Sequence, residues 1–87
     1  MATRFYVNQF RELVVESDGE REVLIVARFT QNENKDKCAN YLRPIAEQMT
    51  TLYNAGKVDG AFALLEEAEA RVSDAQSNEK FLQEVSF

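Results

Sequence analysis

The spacing of apolar residues changes near residue 30, from short dense runs to a repeat of three to four residues. The dense runs flank a polar Ser17-Asp18-Gly19-Glu20 segment, which is typical of two strands joined by a tight turn. The later repeat has the period of amphipathic helices. The pattern therefore predicts an α+β fold. It has an N-terminal antiparallel β-hairpin at about 4–16 and 21–29 and a helical hairpin at about 31–55 and 60–76, which packs on one face of the ribbon.

The dipeptide Asp18-Gly19 fixes the expected hairpin register. A two-residue type I′ loop needs positive φ at both positions, and Asp-Gly supplies it. The predicted cross-strand pairs are Ser17–Glu20, Glu16–Arg21, Val14–Val23, Leu13–Leu24 and Phe10–Ala27.

The stretch from Arg4 to Glu16 contains neither glycine nor proline, and we expect one long strand there. Glu12 is a misfit on an otherwise apolar face. It is explained either by an edge position or by a β-bulge near Gln9-Phe10.

Both faces of the predicted ribbon are apolar, because side chains alternate between faces along a strand. One face gathers Tyr6, Phe10, Val14, Val23, Ile25, Ala27 and Phe29. The other gathers Phe5, Val7, Leu13, Val15, Leu24 and Val26. Since a short helical segment covers only one face, we expect the second set to mediate self-association. A homodimer would form by ribbon-to-ribbon contact or by swapped helices.

The first helix is predicted from a stripe of apolar residues at helical spacing. The stripe consists of Cys38, Tyr41, Leu42, Ile45, Met49, Leu52 and Tyr53. Thr30 and Glu33 fit a capping box at its start, and Gly56 fits the C′ position after its end. Pro44 lies inside the stripe, so either one kinked helix runs through it or a helix begins there; the unbroken phase favours one helix.

The second helix is predicted to begin with Asp59 as its cap. Its buried stripe is Ala61, Leu65, Ala68, Val72 and Ala75, and Glu66, Glu67 and Glu69 fall on the outer side. The segment Leu52 to Ala68 resembles the turn and second helix of a single tetratricopeptide repeat, which implies a helical hairpin and nothing about ligands. Residues 77–87 fit a short helix or a short strand equally well, and Phe81, Leu82 and Val85 favour a tail that docks.

Length and charge limit the possible functions. The chain has 87 residues, enough for a single small domain, and a net charge of −5. Residues 1–45 hold seven basic and seven acidic residues, whereas the remainder holds three basic and eight acidic. Duplex-binding domains usually carry basic patches, so the imbalance disfavours a duplex nucleic-acid partner and favours a protein partner with a basic surface.

The residue types also disfavour catalysis. There is no histidine and a single cysteine, Cys38, which lies on the helical stripe. We expect no enzyme activity, no cofactor and no metal site. No stretch has the length or polarity of a signal peptide or a membrane span, and we expect a cytoplasmic protein that does not enter membranes.

The sequence therefore predicts a non-enzymatic protein-binding module, a small acidic modulator or inhibitor of a larger protein, for example one that handles nucleic acid. In organisation it resembles the small inhibitors that phages and mobile elements encode. The residues expected to contact the partner are Asp59, Glu66, Glu67, Glu69 and Asp74. One alternative is a homo-oligomeric structural or assembly subunit. Another is a weak single-stranded nucleic-acid binder that uses Arg4, Arg11 and Arg28 with Phe5, Tyr6, Phe10 and Phe29.

Overall fold

A computed structural model describes residues 2–79, and it confirms the predicted α+β fold. Its elements are β1 (Arg4–Val7), β2 (Leu13–Ser17), β3 (Glu20–Ile25), α1 (Asn32–Asn54) and α2 (Val58–Ser77). The strands form one antiparallel sheet in the order β1-β2-β3. α1 packs across β1, and α2 packs antiparallel to α1 as the second arm of a helical hairpin. Of the tail expected at residues 77–87, residues 80–87 lie outside the described residues.

The tight turn between β2 and β3 is the predicted one. Asp18 and Gly19 have φ of 54° and 83°, as a type I′ loop requires. Val14 pairs with Val23, and Glu16 pairs with Arg21, whose Nε lies 3.8 Å from the glutamate Oε1. The pairing then shifts at Leu13, which lies opposite Ile25 and not opposite Leu24 as predicted. The extra residue on β3 is a β-bulge.

The segment predicted as one long strand is two strands joined by a second tight turn. The Asn8 side-chain carbonyl accepts hydrogen bonds from the backbone N–H groups of Phe10 and Glu12, both at 2.9 Å. Arg11 adopts φ of 63°, which closes the turn without glycine. The prediction failed because an asparagine can fold the chain back through its own side chain, with no Gly or Pro present. Because Phe10 lies in this turn, the predicted Phe10–Ala27 pair does not form. The turn also explains the polar residue at position 12, since the Glu12 carboxylate accepts a hydrogen bond from Asn8 Nδ2 at 3.0 Å.

The core lies between the sheet and the two helices. All five residues of the α2 stripe are buried, and in α1 Cys38, Leu42 and Met49 are fully enclosed. An edge-to-face chain of aromatic rings joins the layers, with Phe5 5.6 Å from Tyr53 and Tyr53 6.2 Å from Phe62 between centroids. Pro44 lies inside the continuous α1, so the interpretation as one helix is confirmed.

The helix ends differ in detail from the prediction. Gly56 has φ of 82° just after the Ala55 C-cap, as expected of a C′ glycine. The predicted Thr30–Glu33 capping box is not formed, because Gln31 is the N-cap of α1 and makes no side-chain capping bond. The N-cap of α2 is Lys57, which places Asp59 in the first turn and not at the cap.

Candidate protein-binding surfaces

One candidate surface is the outward side of α2, which we call the acidic face: Asp59, Glu66, Glu67, Glu69 and Asp74. All five residues are exposed, because the apolar stripe of α2 turns toward α1 and leaves the opposite side to solvent. The ion pairs found among residues 2–79 join Arg11 to Asp36, Arg21 to Glu16 and Lys37 to Glu33, so none of them neutralises the acidic face. Arg71 is the single basic residue within α2, and its guanidinium lies 5.8 Å from the Tyr41 ring centroid. The structure thus brings the predicted partner-binding residues together along one helix.

The residues predicted to mediate self-association lie elsewhere than expected. Phe5 and Leu13 are in the core, and Val7, Val15 and Leu24 pack against it; only Val26 is exposed. The helices therefore cover the face that was expected to be free. Alternation alone could not predict which face of the sheet the helices cover, because both faces carry similar apolar residues.

The opposite face of the sheet lies outside the core cluster. Its central feature is a strip across the three strands, Tyr6–Val14–Val23, which the register places side by side. Val23 is 45% exposed, whereas Val14 is buried without belonging to the core cluster. A row of alternating charge, Arg4–Glu16–Arg21, runs beside the strip, and the Arg4 guanidinium lies 4.7 Å from the Tyr6 ring centroid.

The predicted base-stacking set is divided by the fold. Phe5 and Phe29 are buried, whereas Tyr6 is half-buried and Phe10 is exposed. Arg11 is bound to Asp36, with its Nε 2.5 Å from the carboxylate Oδ1. The structure therefore leaves two of the four aromatic rings accessible to a base and does not assemble the stacking platform that the sequence allowed.

Helix side chains occupy the outer backbone edge of β1. Thr50 Oγ1 accepts from Phe5 N–H at 2.9 Å and lies 3.1 Å from the Phe5 carbonyl oxygen. One turn later, Asn54 accepts from Thr3 N–H at 3.1 Å and donates to the Thr3 carbonyl at 3.0 Å. Side chains four apart on a helix are neighbours, and they match the spacing of alternate residues on the strand. Sequence analysis missed these residues, although two polar residues at positions 50 and 54 beside an apolar helix stripe were a usable signal.

Side chains at the end of α2 and just after it form hydrogen bonds with the backbone that follows β3. The Gln76 side chain accepts from Arg28 N–H at 3.1 Å and donates to the Val26 carbonyl at 3.4 Å. The Glu79 carboxylate accepts from the backbone N–H groups of Thr30 at 2.7 Å and Gln31 at 3.1 Å, which closes the N-terminus of α1. Local desolvation raises the pKa of Glu79, but the hydrogen bonds from Gln31, Asn34 and Thr30 outweigh it and leave the pKa lowered.

A groove of about 520 Å³ separates β3 from α2. Leu24, Val26 and Arg28 line it on the sheet side, and Glu69 and Gln76 line it on the helix side. The groove therefore holds one residue of the acidic face, Glu69, and one basic residue, Arg28, beside the end of β3.

The single cysteine of the chain lies in the core. Burial raises the pKa of the Cys38 thiol to about 11, so the side chain stays a neutral part of the core. Among residues 2–79, no group of three or more His, Cys, Asp or Glu side chains is arranged to hold a metal ion. None of the helices in this part of the chain is both long and apolar enough to cross a bilayer. No family model matches the chain, and neither a curated protein nor a solved structure matches it significantly.

Proposed function

We propose that this protein is a non-enzymatic binding module, a small modulator or inhibitor whose acidic face contacts a basic surface on a larger protein. The observation that carries the proposal is the set of five exposed carboxylates along α2, outside the ion pairs of the described residues. The absence of histidine from the sequence and the buried thiol of Cys38 support a non-enzymatic role.

The physics of exposed charge sets the properties of such a complex. Each exposed ion pair contributes roughly 0.2–1 kcal/mol, so the acidic face adds a few kcal/mol at most. Its larger effect is on association, because complementary fields steer the encounter and raise the association rate. The field decays over about 8 Å at physiological ionic strength. Binding should therefore weaken steadily as salt rises.

A capture experiment with matched variants tests the proposal. The immobilised protein is exposed to an extract of its native cells beside two double variants, Glu66→Gln/Glu67→Gln on the acidic face and Glu33→Gln/Glu47→Gln on α1. Both variants lose the same charge at exposed positions. We expect a protein that the wild type and the α1 variant retain, that the α2 variant loses, and that elutes as salt is raised. Equal retention by all three proteins would refute a role for the acidic face.

Self-association is a second candidate, and the apolar Tyr6–Val14–Val23 strip favours it, because it lies outside the core cluster and its Val23 is 45% exposed. Sedimentation of the purified protein from micromolar to millimolar concentration tests this homodimer. Val23→Lys places a charge on the strip, and Phe62→Lys is the matched control on α2, since both residues are 45% exposed. A dimer that Val23→Lys alone dissociates supports the candidate, whereas a monomeric wild type excludes it.

A further inference from the structure

The outer backbone edge of β3 is open along a short stretch of the described residues. The type I′ loop makes Ser17–Glu20 a hydrogen-bonded pair, so the pairs alternate and Glu16–Arg21 and Val14–Val23 are non-hydrogen-bonded. The N–H and C=O groups of Arg21 and Val23 therefore point away from β2. The same alternation points Phe5 outward on β1, where Thr50 meets it, and so supports the assignment.

The surroundings of this stretch distinguish it from the rest of the edge. Thr50 and Asn54 occupy β1, and Gln76 occupies the chain just after β3. No helix side chain of residues 2–79 hydrogen-bonds to the outward groups of Arg21 and Val23, and Glu20, Arg21, Glu22 and Val23 are all exposed. Unpaired edge groups are a template for an added strand.

We propose that an extended segment of the protein partner adds to β3 as an antiparallel strand, pairing with Arg21 and Val23, and that this segment is basic on its helix-facing side. The proposal rests on the proposed function, because it names the mode by which the same partner is bound. The charge of Glu22 favours a basic partner segment. Glu22 pairs with Val15, which packs toward the helices, so Glu22 lies on the same side of the sheet as Leu24 and the groove that Glu69 lines. A partner side chain opposite Glu22 thus faces the Glu22 carboxylate and should be lysine or arginine.

A second copy of the chain fits this edge poorly. An antiparallel self-pairing that uses the outward groups of both copies sets Arg21 against Val23 of the other copy, and this places the two Glu22 carboxylates directly opposite each other. Like charges in that position are destabilising. The β-bulge after Val23 also ends the regular edge, so the added strand is short. These features favour a foreign strand of matching charge over edge-to-edge dimers.

The test uses a designed peptide and the whole folded protein. The probe is acetyl-Thr-Val-Lys-Glu-Lys-Thr-amide, which sets valine opposite Val23, lysine opposite Glu22 and glutamate opposite Arg21. It is titrated into isotope-labelled protein, and the backbone amide signals are followed by NMR. We expect the largest shifts, and new protection from hydrogen exchange, at the amides of Arg21 and Val23.

Two control peptides separate main-chain pairing from simple charge attraction. The first carries N-methyl groups on the valine and glutamate nitrogens, which removes the pairing donors and keeps every side chain. The second exchanges the first lysine and the glutamate, which puts glutamate opposite Glu22 and lysine opposite Arg21. Each should bind on the order of tenfold more weakly, since one or two net hydrogen bonds or ion pairs are lost. Equal binding of the N-methylated peptide would overturn the proposal.

Protein variants complete the test. Val23→Pro removes one outward donor and no bond to β2, and prolines are tolerated on edge strands in that orientation; Val23→Thr is the control. Val23→Pro should lose the peptide, and the N-methylated peptide gives the same information on wild-type protein if this variant does not fold. Shifts at Arg21 and Val23 that grow with protein concentration alone would assign the edge to a second copy and overturn the proposal.

The inference and the proposed function fail separately. If the partner captured through the acidic face is retained by Val23→Pro, the added strand is refuted and the acidic face stands. If the peptide pairs with β3 while no captured protein depends on Glu66 and Glu67, the acidic face is refuted instead.

Discussion

Thr50 should be one of the most important polar side chains for the stability of this fold. Its hydroxyl accepts from Phe5 N–H at 2.9 Å and lies within 3.1 Å of the carbonyl oxygens of both Phe5 and Ala46. Thr50→Val keeps the shape and the branching at Cβ and removes only the oxygen. Phe5 is 4% exposed and Thr50 is half-buried, so water replaces the lost partner only in part.

The expected cost follows from the groups left without partners. An unsatisfied buried donor costs about 1–3 kcal/mol, and we expect about 2 kcal/mol for Thr50→Val. A domain of this length has a free energy of unfolding of roughly 4–13 kcal/mol, so the variant should lose a sizeable fraction of it. The melting temperature should fall by roughly 10 °C. Urea unfolding followed by circular dichroism measures the change in free energy.

The neighbouring threonine provides the control. Thr51 is exposed, and its hydroxyl bonds to the Glu47 carbonyl at 3.1 Å within the same helix. Thr51→Val should change stability by less than about 0.5 kcal/mol. Thr50→Ser, which keeps the hydroxyl, should recover most of the loss. If Thr50→Val proves as stable as Thr51→Val, the hydroxyl does not hold β1 and the account of the closed edge is incorrect.

Three further predictions concern other parts of the fold. The lowered pKa of Glu79 means that its contribution to stability is complete above the unfolded pKa of a glutamate and is lost as pH falls through the folded value. The difference in urea midpoint between wild type and Glu79→Gln should therefore shrink in acid; a difference that is constant down to low pH would contradict the assigned hydrogen bonds. Cys38, with a pKa of about 11 and no exposure, should react with a thiol reagent at pH 8 only at the rate of unfolding, and rapid reaction of the folded protein would show that it is accessible. Gly19→Ala should cost roughly 1 kcal/mol because φ is 83° and only the backbone conformation is strained, since nothing lies within 4 Å of the added carbon; an unchanged urea midpoint would contradict the type I′ turn.

Local signals predicted most of the architecture. The Asp18-Gly19 pair fixed the β2–β3 turn and the Glu16–Arg21 pairing, because a type I′ loop admits few residues. The helix stripes from Cys38 to Tyr53 and from Ala61 to Ala75 predicted the buried faces, because a helix with one apolar side has one way to face a core. The outward position of Glu66, Glu67 and Glu69 followed from the same periodicity.

Contacts between distant residues were beyond reach of local pattern. The Asn8 turn depends on a side chain folding back on its own backbone, and asparagine is also common in plain loops. Glu79 accepts hydrogen bonds from the backbone N–H groups of Thr30 and Gln31, which lie 49 and 48 positions earlier in the chain. These bonds form where the nearby sequence predicted a Thr30–Glu33 capping box. Only the tertiary structure shows which side chains form these hydrogen bonds.

The sequence by itself determined the order of the elements, the single hairpin turn with its register, and the faces that the helices bury, since all of these depend on residues within a few positions of one another. The tertiary structure decided which face of the sheet α1 and α2 cover and which backbone edge their side chains occupy. Both faces of the ribbon are apolar enough to be buried, so the decision came from packing. Phe5 and Leu13 share one core cluster with Leu42 and Met49. Thr50 and Asn54 hydrogen-bond to the backbone at the β1 edge, whereas the outward groups of Arg21 and Val23 on β3 have no such partner among the described residues.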